Sequence, residues 1–460
     1  MDGAHFRGIF KTNRSRIAET IMSAVPANAV PAALVRRAGS AFAALAAVQV
    51  ALIASITMLT VALPQLQRQW ALSSPALVVV STSYSVAFGA LLLVAGNVAD
   101  RFGHRRTLLG ALAVFAAASV AAAGANGVTM LVAARFAQGV GAAFAVPAAM
   151  ALIPIVFAGE RQRARATALW GGLAATGASV GMVLSGPVVE VSWRWLFAPP
   201  GLIAVVAAVM VGRLVPGGLA RRPARIDPLC TVLVVAGLTA LIYGLGAESV
   251  LLAATGAALL IGFAVTQRRS TAPLLPKVTL QTASGLVAIL VAGGALASLY
   301  YLLTLQLADT GHTPAAISAA FIPPALAALT AGPAAAQLLH RLPARTVLAL
   351  GLVVAVVGTL LLSRAGPHSG IQLPGLLTAP LGTGIVLSAA TVAGMAGADD
   401  TQRGPAGGLT NTAMEIGPPL VLALVAPVAH THGHTPALLT VTAVLTAAVP
   451  ASLVATHRNH

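Results

Sequence analysis

Apolar residues run through this chain in long uninterrupted blocks, and polar residues punctuate them. Thirteen stretches of 18 residues or more hold no Asp, Glu, Lys or Arg, from 38–67 through 416–457. A helix needs about 20 apolar residues to cross a hydrocarbon layer of ~30 Å. The last stretch also contains a turn, His430-Thr-His-Gly-His-Thr-Pro436, so it holds the end of one span and the whole of another. The pattern therefore predicts fourteen spans: 39–64, 75–96, 107–125, 129–152, 168–189, 196–215, 229–246, 250–266, 285–306, 315–338, 346–363, 373–396, 407–428 and 437–456. Run length and the Ala/Leu/Gly usage select helices over barrel strands, which would alternate over shorter segments. The fold class expected is an all-α integral membrane protein.

Composition agrees with that reading and excludes its rivals. Only 8% of the 460 residues are charged and 58% are hydrophobic, with a mean hydropathy of +0.90. A soluble globule of this length could not cover itself with so few charges. The net charge of +16 invites a nucleic-acid reading, but the basic residues are thin punctuation between apolar runs and form no clustered face. Their distribution is a topology signal instead. With both termini in the cytoplasm, 23 of the 27 basic residues fall on the cytoplasmic side, Arg68, Arg194 and Arg364 fall outside, and Arg135 lies within a span. Residues 1–38 are expected to form a basic cytoplasmic tail near anionic lipid and not a cleaved signal peptide, because the first apolar segment is too long for one. The single Cys230 excludes an intrachain disulfide and a cysteine metal cluster.

The chain repeats itself weakly. An offset of 240 residues aligns Arg101-Phe-Gly-His-Arg105 with Arg341-Leu-Pro-Ala-Arg345, and Leu108 with Leu348. An offset of 236 aligns Gly172-Leu173 with Gly408-Leu409, and Gly181 with Gly417. Duplicated halves of transporters leave such traces. The expected organisation is a tail at 1–38, a six-helix half at 39–215, an inserted hairpin with its linkers at 216–284, a second six-helix half at 285–456, and a short cytoplasmic tail at 457–460.

Several motifs then converge. Gly96-Asn-Val-Ala-Asp100-Arg101-Phe-Gly103-His-Arg105-Arg106 lies between spans 2 and 3. Gly103 would permit a tight turn, and Asp100 can accept from a helix N-terminus or from Arg105. Span 4 carries Arg135-Phe-Ala-Gln138-Gly139-Val-Gly141; an Arg inside a span is costly unless paired or hydrated and so marks function. Span 5 carries Gly177-Ala-Ser-Val-Gly181-Met182-Val-Leu-Ser185-Gly186, followed by Ser192-Trp193-Arg194-Trp195-Leu-Phe197, whose indoles suit a membrane interface. Span 1 ends in Ala62-Leu63-Pro64.

On these residues the chain resembles the major facilitator superfamily, in particular its fourteen-span drug:proton antiporter branch, from residue 39 to the end. The loop resembles the family's G-x-x-x-D-R-x-G-R-R, which implies that Gly96, Asp100, Arg101, Gly103 and Arg105 latch the two halves together. Span 4 is similar to R-x-x-Q-G-x-G, which implies that Arg135 influences proton transfer. Span 5 is similar to the antiporter pattern G-x-x-x-G-P-x-x-G-G in Gly177, Gly181 and Gly186, but Met182 stands at its proline and Ser185 at a glycine, so the kink is lost or moved to Pro187. In span 1, Ser55 stands where the branch has an acid.

Among the eleven acids only Glu415 maps inside a span, about eight residues or ~12 Å from the cytoplasmic end at 1.5 Å per residue. A carboxylate at that depth suits proton uptake and release, although the branch usually has Gln there; the alternative is a structural Glu bonded to Asn411. Candidates for a substrate path near the midplane are Gln49, Tyr84, Gln138, Tyr300, Tyr301, Thr304, Gln306 and Asn411, most of them expected to serve interhelical hydrogen bonds. The function expected is proton-coupled efflux of small amphipathic compounds such as antibiotics, with a narrow exporter or uniporter of one metabolite as the alternative. The partners are a small-molecule substrate, protons and the lipid bilayer, with no nucleic acid and a monomeric state.

Other chemistries fail on context. Gly177-Ala-Ser179-Val-Gly181 matches G-x-S-x-G, but mid-helix and not at a strand–turn–helix elbow. Neither Lys11 nor Lys277 has a P-loop around it. The outer-face His430, His432 and His434 read as solvated side chains. No enzyme activity, cofactor or metal is expected.

Overall fold

A computed structural model describes residues 32–157, 159–215, 227–246, 249–269, 280–364, 372–395 and 403–454. All of its regular elements are helices, as a backbone in hydrocarbon requires, because every N–H and C=O must be satisfied within its own segment. They are α1 (Ala32–Trp70), α2 (Ser74–Phe102), α3 (His104–Ala123), α4 (Val128–Val156), α5 (Glu160–Val191), a 3-10 turn (Trp193–Phe197), α6 (Ala198–Leu214), α7 (Pro228–Gly246), α8 (Val250–Arg269), α9 (Leu280–Asp309), α10 (Pro314–Ala319), α11 (Ile322–Leu339), α12 (Ala344–Arg364), α13 (Gln372–Gly394), α14 (Arg403–His432) and α15 (His434–Val454). Among the described residues, thirteen spans are long and apolar enough to cross a membrane, with α10 and α11 together making one of them. A fourteenth, shorter apolar stretch, His434–Val449, lies within α15.

Three boundaries differ from the sequence reading. Helix α1 begins at Ala32, so Arg36 and Arg37 are helical and sit at the start of the apolar span; residues 1–31 and 457–460 lie outside the described residues. The turn expected over His430–Pro436 shrinks to Gly433 alone, whose φ of +86° reverses the chain between α14 and α15. The tenth span is broken between α10 and α11. Pro323 and Pro324 open α11 and offer no N–H, so the preceding turn cannot continue the helix.

The internal repeat is visible in the packing. In the first half α1 packs on α4, α5 and α6, α2 on α4, and α3 on α4 and α6. In the second half α9 packs on α13, α14 and α15, α11 on α13, and α12 on α13 and α15. The glycines matched by sequence occupy matched contacts. A Cβ on Gly172 would meet Gly332 of α11, and one on Gly408 would meet Leu92 of α2. Likewise Gly181 abuts Ala54 of α1 and Gly417 abuts Leu290 of α9. Small residues at these points let helix backbones approach in a medium where packing, and not water, drives association.

Between the halves, α5 packs on α10, α11 and α13, and α14 packs on α2 and α4. The inserted hairpin is asymmetric. Cys230, Val234 and Leu238 of α7 pack on Ala90, Leu93 and Val94 of α2 and against Leu409 and Ile416 of α14, whereas α8 packs on α7 and exposes Leu251 (77%) and Ile261 (67%).

Candidate functional site: a fixed cation and an unbonded acid at the helix interfaces

Arg135 stands two turns into α4 and is fully buried. Its Nη1 donates to the Ser55 carbonyl (3.0 Å), to Ser55 Oγ (3.2 Å) and to Gln138 Oε1 (3.1 Å). Its Cζ lies 4.5 Å from the centroid of the Tyr84 ring, an arrangement that stabilises a desolvated guanidinium. The supporting shell is itself bonded: Gln138 Nε2 donates to Ser119 Oγ (2.8 Å), and the Tyr84 hydroxyl donates to the Leu52 carbonyl (3.0 Å). Arg135 therefore ties α4 to α1, and through its neighbours to α2 and α3. Its Nε and Nη2 have no hydrogen-bond partner among the described residues. The glycines that follow in the motif explain the tightness. A Cβ on Gly139 would strike the Tyr84 carbonyl of α2, and one on Gly141 the Ala111 carbonyl of α3, 2.9 Å away.

The loop motif turns on Gly103, with φ +94°, between α2 and α3. Asp100 Oδ1 lies 3.3 Å from His104 Nε2, one turn on. Arg105 does not reach back to Asp100 as the sequence suggests; its Nη2 donates to the Gly212 carbonyl at the end of α6 (2.6 Å). That bond joins helices of one half, where the negative end of a helix dipole favours a cation. Gly96 lies in the last turns of α2, and Arg101 is exposed beside the Phe102 ring.

In α5, Gly177 and Gly181 face α1, and Gly186 faces Ser318 and Pro314 of α10. The Gly186 N–H donates to Ser318 Oγ (2.8 Å), Ser185 Oγ donates to the Met182 carbonyl (2.7 Å), and Pro187 lies inside the helix. Where the antiporter pattern has a proline, this helix runs on through Met182. Deeper in the same interface the hydroxyls of Ser179 and Tyr300 are hydrogen-bonded across the halves, with Tyr300 edge-on to Phe321 at 5.1 Å.

Glu415 lies twelve residues from Arg403, so about 18 Å along α14 at 1.5 Å per residue, and nine residues from Ala406, where the apolar span begins. It is half-buried. A Cβ on Gly89 of α2 would lie 3.6 Å from Glu415 Cβ and 2.7 Å from Ile242 of α7, so three helices meet at the acid. Asn411, one turn away, donates to the Gly407 carbonyl (2.8 Å) and points at Met150 of α4 (3.9 Å to the sulfur), and it does not bond Glu415.

The remaining candidates scatter. Gln49 is buried with neither amide atom bonded. Thr304 donates to the Tyr300 carbonyl one turn back (2.8 Å), and Tyr301 is half-buried against the core of the second half. Gln306 sits with His434 at a small cleft of that half and away from α5. Ser179, Ser119 and Ser318 are partners that sequence reasoning missed. Trp193 is buried, donates to Gln69 Oε1 (2.8 Å) and packs edge-on to Trp70, so it caps the helix ends while Trp195 stays 61% exposed.

Two matched helical halves, an intramembrane acid at the seam between them and a buried Arg within the first half are the architecture of a multi-pass membrane transporter. A family model described as Major Facilitator Superfamily matches residues 45–422, and the chain belongs to that family. It is 33% identical over 407 residues to the puromycin resistance protein pur8 of Streptomyces alboniger, covering 82% of this chain and 79% of that one. It is 31% identical over 420 residues to the cephamycin export protein CmcT of Amycolatopsis lactamdurans, covering 86% and 83%. In fold it is similar to the human organic anion transporter MFSD10 (TETRAN), with a TM-score of 0.70 at 14% identity over 90% of this chain and 99% of that one. It is similar also to the proton:xylose symporter XylE, with a TM-score of 0.67 at 13% identity over 90% and 95%.

Proposed function

We propose that this transporter exports small amphipathic compounds, antibiotics among them, by proton-coupled alternating access across the cytoplasmic membrane with both termini in the cytoplasm. The observation that carries the reading is the setting of Glu415, an acid deep in α14 where it meets α2 of the other half and α7. A neutral Glu415 can stay in this seam when α2 and α14 close on it; an ionised one requires water or a cation, and so favours the arrangement in which the seam is hydrated. Proton binding and release thereby bias which side of the molecule is open. Arg135 supplies a fixed positive charge in the first half, and Tyr300 and Asn411, which reach across the halves to Ser179 and Met150, are the best-placed candidates for the substrate route. Asp100 and its neighbours in the loop hold the cytoplasmic ends of α2 and α3. The relatives named for puromycin resistance and cephamycin export support the cargo class.

A second reading, uniport or export of a single metabolite, is favoured by Ser55: the side chain facing Arg135 is a hydroxyl and not an acid. Inverted vesicles with an imposed pH gradient separate the two. Drug accumulation that follows the gradient in the wild type and loses that dependence in Glu415→Gln supports antiport through this acid. Accumulation indifferent to both the gradient and the substitution favours the second reading.

A further inference from the structure

A groove of about 410 Å³ opens on the outer surface of the first half, between the cytoplasmic end of α2, the start of α3 and the middle of α4. It takes no part in the interface between the halves. Its walls are Val98 and Phe102 of α2, Gly110 and Val114 of α3, and Val140 and Phe144 of α4; Phe102 (55%) and Val114 (45%) remain exposed. Its polar lining is confined to one end, where Arg106 and Thr107 sit in the first turns of α3. From Arg106 to Val114 is eight residues, so the groove runs about 12 Å inward from its charged rim at 1.5 Å per residue.

Two details point to an occupant. Threonines inside these helices mostly return their hydroxyl to a carbonyl three or four residues back, as Thr176, Thr231, Thr266, Thr383 and Thr410 do. Thr107 does not: its Oγ1 is buried and has no partner among the described residues. Gly110 leaves a gap in the wall, because a Cβ built there meets nothing within 4 Å. Arg106 is exposed at this rim and is the cation among the lining residues. A cationic, hydroxyl-bearing head end above an apolar trough is complementary to an anionic head on a hydrocarbon tail.

We propose that this groove binds one anionic glycerophospholipid of the cytoplasmic leaflet. Its phosphate lies at Arg106 and Thr107 Oγ1, and one acyl chain lies over Gly110 between Val114 and Phe144. Basic side chains at this depth attract anionic headgroups, and the trough covers a length of chain that would otherwise leave a void beside α3.

The test is native mass spectrometry of the full-length protein released from nanodiscs of equal phosphatidylglycerol and phosphatidylcholine with matched acyl chains. The wild type is expected to retain one lipid, phosphatidylglycerol over phosphatidylcholine by about fivefold, the ratio one Arg near an anionic headgroup supplies. Arg106→Gln should remove the preference, and Gly110→Phe, whose Cβ meets nothing within 4 Å and whose ring would occupy the trough, should remove the retained lipid of either kind. Val114→Trp serves the same end if Gly110→Phe does not fold. Retention unchanged by filling the groove would overturn the proposal, as would equal retention of the two lipids by the wild type. Competition by excess inorganic phosphate that strips the bound species would also overturn it, by making the site one for a free anion.

Discussion

Arg135 and Glu415 are both ionisable groups deep in spans, and the protein treats them oppositely. Arg135 is fully buried, gripped at Nη1 by three hydrogen bonds and roofed by the Tyr84 ring. Glu415 is half-buried, and among the described residues no hydrogen bond or ion pair reaches it. A charge held by that many partners keeps one position and one protonation state. An acid at a seam, without a bonded partner, is free to change both. The cost of an intramembrane charge is met by bonded partners in the first case and by none among the described residues in the second.

Four substitutions probe this contrast. Gly139→Leu breaks the fixed side outright, because its side chain would drive α2 away from α4 at the Tyr84 carbonyl; a loss of about 3 kcal/mol, the upper end for overpacking, should appear as a marked fall in thermal stability in detergent. Glu415→Gln acts on the mobile side: gradient-driven drug accumulation should fall at least about tenfold, equivalent to ~1.4 kcal/mol, while stability stays near the wild-type value. A drop in stability instead would make Glu415 structural. Ser55→Asp converts the fixed site from a hydrogen-bonded to an ion-paired one by placing a carboxylate beside Nη1. Since a buried charge is less costly once paired, the melting temperature should rise by about 1 °C, what 1 kcal/mol gives a chain of this length; an unchanged melting temperature would mean that the aspartate stays protonated. Ser179→Ala removes one hydroxyl of the pair that joins the halves through Tyr300. It should cost about 0.6 kcal/mol, the average for a hydrogen bond between membrane helices, and be seen as a small change in transport rate with little change in melting.

The spans were legible because hydrocarbon thickness fixes run length, and charge was too scarce to blur their ends. The repeat was legible because glycine has no substitute where backbones touch: Gly172 and Gly408, matched by sequence alone, meet Gly332 and Leu92 at corresponding points of the two interfaces. Arg135 was legible from the cost of its charge. Partner choice was not. Nothing local to Ser179 names Tyr300, some 120 residues away, and Arg105 meets a carbonyl of α6 instead of the nearby Asp100. Trp193 carries the same indole as an interface residue; what buries it is an acceptor on Gln69, supplied by the far end of α1.

The placement of α7 bears on how the two halves can part. Because it lies against both α2 and α14, a hydrophobic molecule dissolved in the bilayer meets a closed wall along that side. A molecule entering from the bilayer would have to pass the opposite seam, where α5 meets α10 and α11. The wall is inexpensive to maintain. Its residues Ala90, Leu93, Val94 and Leu238 are as content against acyl chains as against one another, so α7 could stay with either half if the two were to part.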